Sequence, residues 1–260
     1  MMDDLAAILP IGQATLWIGL AVFIRVGAVM AVLPAFGDQP VPTRVRLTLA
    51  LMFTLVVAPA VAPDLPPMPA TTLGMAAGLG PEVLTGLFFG IFLRFFILVL
   101  QIAGTMAAQS VSLSQIFGGT QVVDPQPAIG HILVVGGTAL AALMGLHVQA
   151  AAYMINSYMM VPFGTAFAPS VLVEVGIAEV SRCFALAFTL AAPFLIATLI
   201  YNLVLGVINK AMPQLMVSFV GAPALTAGGL FLFFLTAPLM LSLWMHAFSA
   251  FMANPFAPWP

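Results

Sequence analysis

Several ionisable side chains lie inside or at the edges of long apolar stretches, where a charge is costly unless it is paired or faces water. They are Arg25, Glu82, Arg94, Glu174, Glu179 and Arg182. Glu179 and Arg182 are three residues apart on one helical face, so we expect them to neutralise each other. Arg25 and Arg94 have no acidic residue within one helical turn. They therefore either pair with another helix or another subunit, or bind a substrate or an ion.

The residue patterns of common enzymes are missing from the sequence. His131, His147 and His246 are far apart and lack neighbouring carboxylates, which does not favour a metal site. Cys183 is the only cysteine, so a disulfide or a Cys-based metal site cannot form within one chain. The sequence contains neither a nucleophile elbow nor a phosphate-binding loop. We expect no enzymatic activity and no cofactor, and we expect Cys183 to be a small core residue.

The stretch 109–126 is rich in Ser, Gln and Gly and is the part of the chain least compatible with lipid. One interpretation is an ordinary loop outside the membrane. The other is a movable constriction, because Gly118 and Gly119 give the backbone freedom and Ile116 and Phe117 add apolar bulk. The sequence leaves both open.

The composition excludes an ordinary soluble protein. Of the 260 residues, 63% are hydrophobic and 5% are charged, whereas a soluble domain carries roughly a quarter of charged residues. The outer surface must therefore be covered by lipid, by other subunits or by both. The net charge of −2, without a basic run, argues against a nucleic-acid surface.

Gly and Pro divide the chain into about six apolar segments, which predict an all-α membrane protein. The segments cover approximately 11–33, 45–61, 81–108, 128–160, 171–211 and 215–252. The last two exceed a single crossing of the bilayer and contain Pro193, Pro223 and Pro238. We therefore expect them to be helical hairpins or helices broken by Pro.

The third segment carries two further signals. Pro81 is expected in the first turn of a helix, with Glu82 favouring the positive end of that helix. Gly86 and Gly90 have the spacing that lets neighbouring helices approach closely. The motif alone does not say whether the neighbour belongs to the same chain.

The few basic residues between segments predict an orientation in the membrane. Arg44 and Arg46 follow the first segment, and Lys210 lies between the fifth and the sixth. The positive-inside rule places both connections on the cytoplasmic side. With six crossings, the connection at Asp64 would lie on the opposite side.

Two groups of short motifs lie in the opening part and the closing half of the chain. The opening group consists of Phe23–Val26, Pro34, Val41–Leu47 and Val57–Pro59. The closing group has the pattern P-x(8)-N-x-x-L-G-x-x-[NS]-[RK]-x-x-P-Q, with the fixed positions Pro193, Asn202, Gly206, Lys210, Pro213 and Gln214. It is followed by the turn Gly221–Pro223, and Val161–Gly164 and Asp124-Pro125 lie between the two groups. Together these motifs resemble the FliR/SctT family of type III secretion export-gate proteins.

The resemblance spans essentially the whole chain, 1–260, and implies one helical export-gate domain without a separate soluble domain. It implies a non-enzymatic subunit of the flagellar or injectisome export gate, in the bacterial inner membrane at the flagellar basal body. The partners implied are FliP-like and FliQ-like subunits, FlhB-like and FlhA-like export components, unfolded protein substrates and lipid. The stretch 109–126 departs from the family pattern because it is longer.

Within this interpretation, the polar stretch is expected to help seal a conduit. The candidate channel plug is formed by Ser114, Gln115, Ile116, Phe117, Gly118, Gly119 and Thr120. Arg25 and Arg94 are expected in protein interfaces, because an unpaired guanidinium is costly in hydrocarbon. The alternative function is a secondary transporter of a small solute, which the two arginines and the broken helices favour.

Overall fold

A computed structural model describes residues 2–34, 41–112, 128–212 and 217–257, which form seven α-helices, one short 3-10 helix and no strand. The α-helices are α1 (Met2–Val32), α2 (Thr43–Val61), α3 (Thr72–Ser112), α4 (Ala128–Leu143), α5 (Leu146–Met160), α6 (Pro169–Ala211) and α7 (Val217–Ala253). Five of them are long and apolar enough to cross a membrane, and α4 with α5 makes a sixth span if the pair is counted as one. The predicted all-α membrane fold is confirmed.

The helices do not break where the sequence predicts. α6 is continuous through Pro193, and α7 is continuous through Pro223 and Pro238, so the breaks expected at these prolines are wrong. A proline removes one backbone hydrogen bond, and the packing around a membrane helix can compensate for that loss. The observed break is in the fourth segment, which contains no proline. There Gly145 adopts a φ of 81°, in the left-handed region that favours glycine.

The third helix begins earlier than predicted. α3 starts at Thr72, so Pro81 and Glu82 lie inside the helix and not in its first turn. The sequence did not predict the turns before Pro81, because this stretch is rich in glycine and glycine is a poor helix former. The assignment of Glu82 to the positive end of a helix is therefore wrong.

The chain forms two compact units. The first unit comprises Met1–Arg94, Ala142–Ile177 and Ala250–Pro258, and the main parts of the second are Phe95–Ala141 and Ala178–Ser249. Each unit has its own buried core of apolar side chains.

In the first unit, α1 lies directly against the small residues of α3. A Cβ atom added at Gly86 would stand 2.5 Å from the Arg25 carbonyl oxygen and 2.7 Å from the Ala28 Cβ. Gly90 is in equally close contact with Val32. The Gly86 and Gly90 spacing therefore serves close packing of two helices within the chain, as the sequence allowed.

In the second unit, Trp244 fills the core. Its indole is stacked on Phe248 with ring centroids 5.2 Å apart, and its N–H donates to the Phe96 carbonyl at 2.7 Å. Gly137 faces Trp244, where a side chain larger than hydrogen would collide with Leu100. A buried indole needs such a hydrogen-bond acceptor.

Candidate functional site

The interior of the first unit contains an ion pair between Arg25 on α1 and Glu82 on α3. The guanidinium Nε and Nη2 atoms donate to the two carboxylate oxygens at 2.7 and 3.0 Å. The side chains are 1% and 0% exposed. Two parallel charge-assisted hydrogen bonds of this kind fix the orientation of both groups as well as their distance.

Other groups add hydrogen bonds and contacts to the pair. Arg25 Nη1 donates to the carbonyl oxygens of Ser157 and Val161 at 3.1 and 3.0 Å. The Gly164 N–H donates to Glu82 Oε1 at 3.0 Å. The ring of Tyr158 lies 3.7 Å from the guanidinium carbon, a cation–π contact. Such additional contacts are what allow a buried ion pair to be tolerated.

We refer to these residues as the Arg25 cluster. Its members are Arg25, Glu82, Ser157, Tyr158, Val161 and Gly164. The cluster joins α1 and α3 to the end of α5 and to the connection that leads to α6. Its chemistry is that of a structural clamp, because the charged groups of Arg25 and Glu82 are buried and hydrogen-bonded to groups of the same chain.

The connection between α5 and α6 depends on a glycine. Gly164 has a φ of 74°, in the left-handed region, and this conformation directs its N–H to Glu82. Next to it, the ring of Phe163 packs edge-on against Trp17, with ring centroids 6.1 Å apart. The motif Val161–Gly164, noted in the sequence, thus supplies a carbonyl and an N–H to the Arg25 cluster.

The other predicted charges lie in different environments. Arg182 Nη1 lies 2.6 Å from Glu179 Oε1, so the local pair predicted on α6 is confirmed. Glu174 is exposed, and Arg94 is partly exposed on α3. For Arg25 the structure gives a partner on another helix of the same chain. Arg25 is 1% exposed, so of the two predicted interface charges only Arg94 remains a prediction for a subunit interface.

The remaining predicted residues are only partly described. Residues Ser114 to Thr120 of the candidate plug lie outside the described residues, and so do Pro213 and Gln214 of the closing motif. Within the described part of that motif, Pro193 is partly exposed, and Asn202, Gly206 and Lys210 are exposed. These last three follow one another at four-residue spacing and share one face of α6. Cys183 is buried, as predicted.

The second unit exposes large apolar side chains along α6 and α7. On the part of α6 in this unit the most exposed are Phe188, Ile196, Leu199, Ile200, Leu203 and Val207. The exposed apolar residues of this part of α6 run from Val180 to Ile208, which is about 42 Å along a helix. The hydrocarbon core of a bilayer is only about 30 Å thick. Lipid tails therefore do not cover the whole surface unless α6 is strongly tilted.

Comparisons with known proteins give one consistent result. The chain matches the family model described as bacterial export proteins, family 1, over residues 16–251. It is similar to the flagellar biosynthetic protein FliR of Caulobacter vibrioides, with 31% identity over 233 residues, 88% of this chain and 91% of the relative. The FliR proteins of Escherichia coli and Bacillus subtilis are each 27% identical, over 87% and 78% of this chain and 86% and 80% of their own lengths.

Proposed function

This chain belongs to family 1 of the bacterial export proteins, and we propose that it is a structural subunit of the flagellar protein export gate. In this role it lines and seals a conduit for unfolded secreted proteins together with FliP-like and FliQ-like subunits. Its place is the bacterial inner membrane at the basal body, beside FlhB-like and FlhA-like export components. It acts without catalytic residues or a cofactor, and other components supply the energy.

The observation that carries this proposal is the exposed apolar surface of α6, between Val180 and Ile208. A surface of about 42 Å exceeds the hydrocarbon thickness by roughly 40%. Large contiguous apolar patches of this kind mark sites of contact with other proteins or with membranes. Partner subunits that stack on this face would cover the portion that extends beyond the lipid tails.

The Arg25 cluster weakens the alternative of a secondary transporter. A transport site needs a charged group that can exchange partners with a solute, and such groups line a cavity near the middle of the membrane. Arg25 is 1% exposed, and its guanidinium is hydrogen-bonded to Glu82, Ser157 and Val161. Its charge therefore stabilises contacts within the chain and is not accessible to a transported solute.

Co-expression tests the proposal. The chain is produced alone and together with the FliP-like and FliQ-like proteins of the same organism, and both samples are purified in mild detergent. We expect a large hetero-oligomer from the mixture, with much greater resistance to proteolysis than the chain alone, because a partner that binds the native state stabilises it. A stable small homo-oligomer with equal resistance in both samples would contradict obligatory assembly.

A further inference from the structure

A groove in the first unit lies between α1 and α2. Its volume is about 830 Å³, within the range of roughly 300–1,000 Å³ that is usual for ligand sites. Its apolar lining includes Leu16, Gly19, Phe23, Leu51, Leu55 and Ala58. Thr15 and Thr54 are the polar residues of the lining, and the Thr54 hydroxyl donates to the Ala50 carbonyl at 2.7 Å. The groove therefore suits an apolar occupant.

The groove opens outward, toward the surroundings of the chain. Leu16 and Leu55 are 76% and 67% exposed. α2 belongs to a candidate membrane span, Thr43–Asp64, and only 22% of the most apolar 18 residues of this span are buried. None of the described residues fills the groove, so we look for its occupant in the membrane or in another protein.

The same face of α2 leads from the groove to a positive charge. Arg44, Leu51, Leu55 and Ala58 recur at helical spacing and lie on one side of the helix. Arg44 is exposed. Arg44 and Ala58 are fourteen residues apart, or about 21 Å, which is close to half of the roughly 40–45 Å of a bilayer with its headgroups. The face from Arg44 to the groove thus has the length of one leaflet.

We propose that this face binds an anionic phospholipid, with the phosphate at the Arg44 guanidinium and an acyl chain in the groove between α1 and α2. The charge of Arg44 at one end and the apolar lining at the other match the two parts of such a lipid. The positive-inside rule puts Arg44 on the cytoplasmic side, where anionic lipids attract basic residues next to membrane spans. The inference goes beyond the export function and does not rest on it.

The chain offers a groove-filling variant with a matched control. Gly19 lines the groove, and a Cβ atom added there meets nothing within 4 Å, so Gly19→Leu can extend into the groove without displacing the fold. Gly12 is on the same helix, is equally open, and is not part of the lining. Gly12→Leu therefore controls for the added side chain and for the gain in helix propensity.

The headgroup contact has a matched control of its own. Arg44→Gln removes the exposed positive charge that lies on the same face of α2, two helical turns before the groove. Lys210→Gln removes an exposed positive charge at the end of α6, on the second unit. Both variants change the net charge by the same amount, so they separate a local contact from a general attraction to anionic membranes.

The full chain is purified in detergent, depleted of lipid and titrated with phosphatidylglycerol or phosphatidylethanolamine, and bound lipid is counted by native mass spectrometry. We expect tighter binding of phosphatidylglycerol. Arg44→Gln should weaken it about five-fold, the effect of one basic residue at an anionic membrane surface. Gly19→Leu should reduce binding of both lipids, and Gly12→Leu and Lys210→Gln should leave binding unchanged.

Two results would overturn the proposal. One is equal binding of the two lipids together with no effect of Arg44→Gln, which would leave only an unspecific apolar surface. The other comes from photo-crosslinking at Leu55 in cells: a product with another protein, in place of lipid, would make the groove a subunit interface. The lipid titration uses the isolated chain and does not depend on assembly with the FliP-like and FliQ-like proteins, so the proposed function is tested separately by the co-expression experiment.

Discussion

The Arg25 cluster in the first unit and the exposed face of α6 in the second unit differ in what they bury. The cluster is a buried group of charges, and the face of α6 is an exposed group of apolar side chains. The cluster buries two full charges and satisfies them with groups of the same chain. The face of α6 leaves large apolar side chains such as Phe188 and Leu203 uncovered, at 57% and 68% exposure. The first region contributes to the stability of the isolated chain, and the second contributes only after something binds to it.

This difference separates folding from assembly. Residues of the Arg25 cluster should act on the free energy of unfolding whether or not partners are present. Residues on the face of α6 should act on complex formation and leave the isolated chain nearly unchanged. The following variants test that separation in order of their expected effect on the isolated chain.

The largest effect is expected from Glu82→Ala. It leaves the Arg25 guanidinium buried without its counter-charge, and breaking a buried pair in this way costs about 3–5 kcal/mol. Thermal unfolding in detergent should show a strongly lowered midpoint or a chain that does not accumulate. Glu174→Ala removes an exposed carboxylate and should have almost no effect.

The double variant Arg25→Met with Glu82→Leu sharpens this prediction. It replaces both charges by apolar groups, which is often neutral in a buried site. We expect it to recover much of the stability that Glu82→Ala loses. If the double variant is as unstable as the single one, the unpaired charge of Arg25 is not the cause of the loss, and the cluster needs the hydrogen bonds or the packing of the native pair.

The next effect is expected from Gly164→Ala. Alanine is strained at a φ of 74°, and the left-handed conformation costs a residue with a Cβ roughly 1–2 kcal/mol. The variant should also weaken the N–H contact to Glu82. Gly176→Ala, in an open position on α6, should instead be neutral or stabilising by up to about 1 kcal/mol. Equal effects of the two substitutions would show that backbone conformation is unimportant at Gly164.

The sequence predicts the fold class well, because the evidence for it is local. A continuous apolar segment of about twenty residues is enough to indicate a membrane helix. The helix start at Thr72 and the break at Gly145 were missed for a related reason. Glycine and proline are weak evidence in membrane helices, since neighbouring helices can override their usual preference.

The Arg25 cluster could be predicted only in part. The sequence identifies Arg25 and Glu82 as charges in apolar segments and requires a distant partner for Arg25. It does not join them, because 57 residues separate them and Glu82 was assigned to a helix terminus beside Pro81. A search for opposite charges among the apolar segments would have proposed the pair. The roles of the Val161 carbonyl and the Gly164 N–H could not be found, because backbone groups carry no signature in the sequence.

A smaller effect is expected from Arg182→Gln. The pair with Glu179 is local, and the Arg182 side chain is 32% exposed. Glu179 is only 3% exposed, but glutamine can still donate a hydrogen bond to its carboxylate, and solvent at the Arg182 end screens the pair, so the loss should be about 1 kcal/mol or less. The shift in unfolding midpoint should therefore be much smaller than that of Glu82→Ala, measured in the same detergent. A shift of similar size would remove the contrast between a local and a buried pair.

The smallest effect on the isolated chain, and a large effect on assembly, is expected from Leu203→Glu. Leu203 is 68% exposed on α6, so a glutamate there loses little internal contact of the chain, and exposed substitutions usually change stability by no more than about 0.5 kcal/mol. In a complex the new carboxylate would be buried without a counter-charge, which is costly. Co-purification with the FliP-like and FliQ-like proteins should therefore fall sharply while the unfolding midpoint of the chain alone stays the same.

Leu203→Met, which keeps the apolar volume, should assemble normally. If Leu203→Glu assembles as well as Leu203→Met, this part of α6 is not covered by a partner, and the division between folding and assembly residues must be drawn elsewhere.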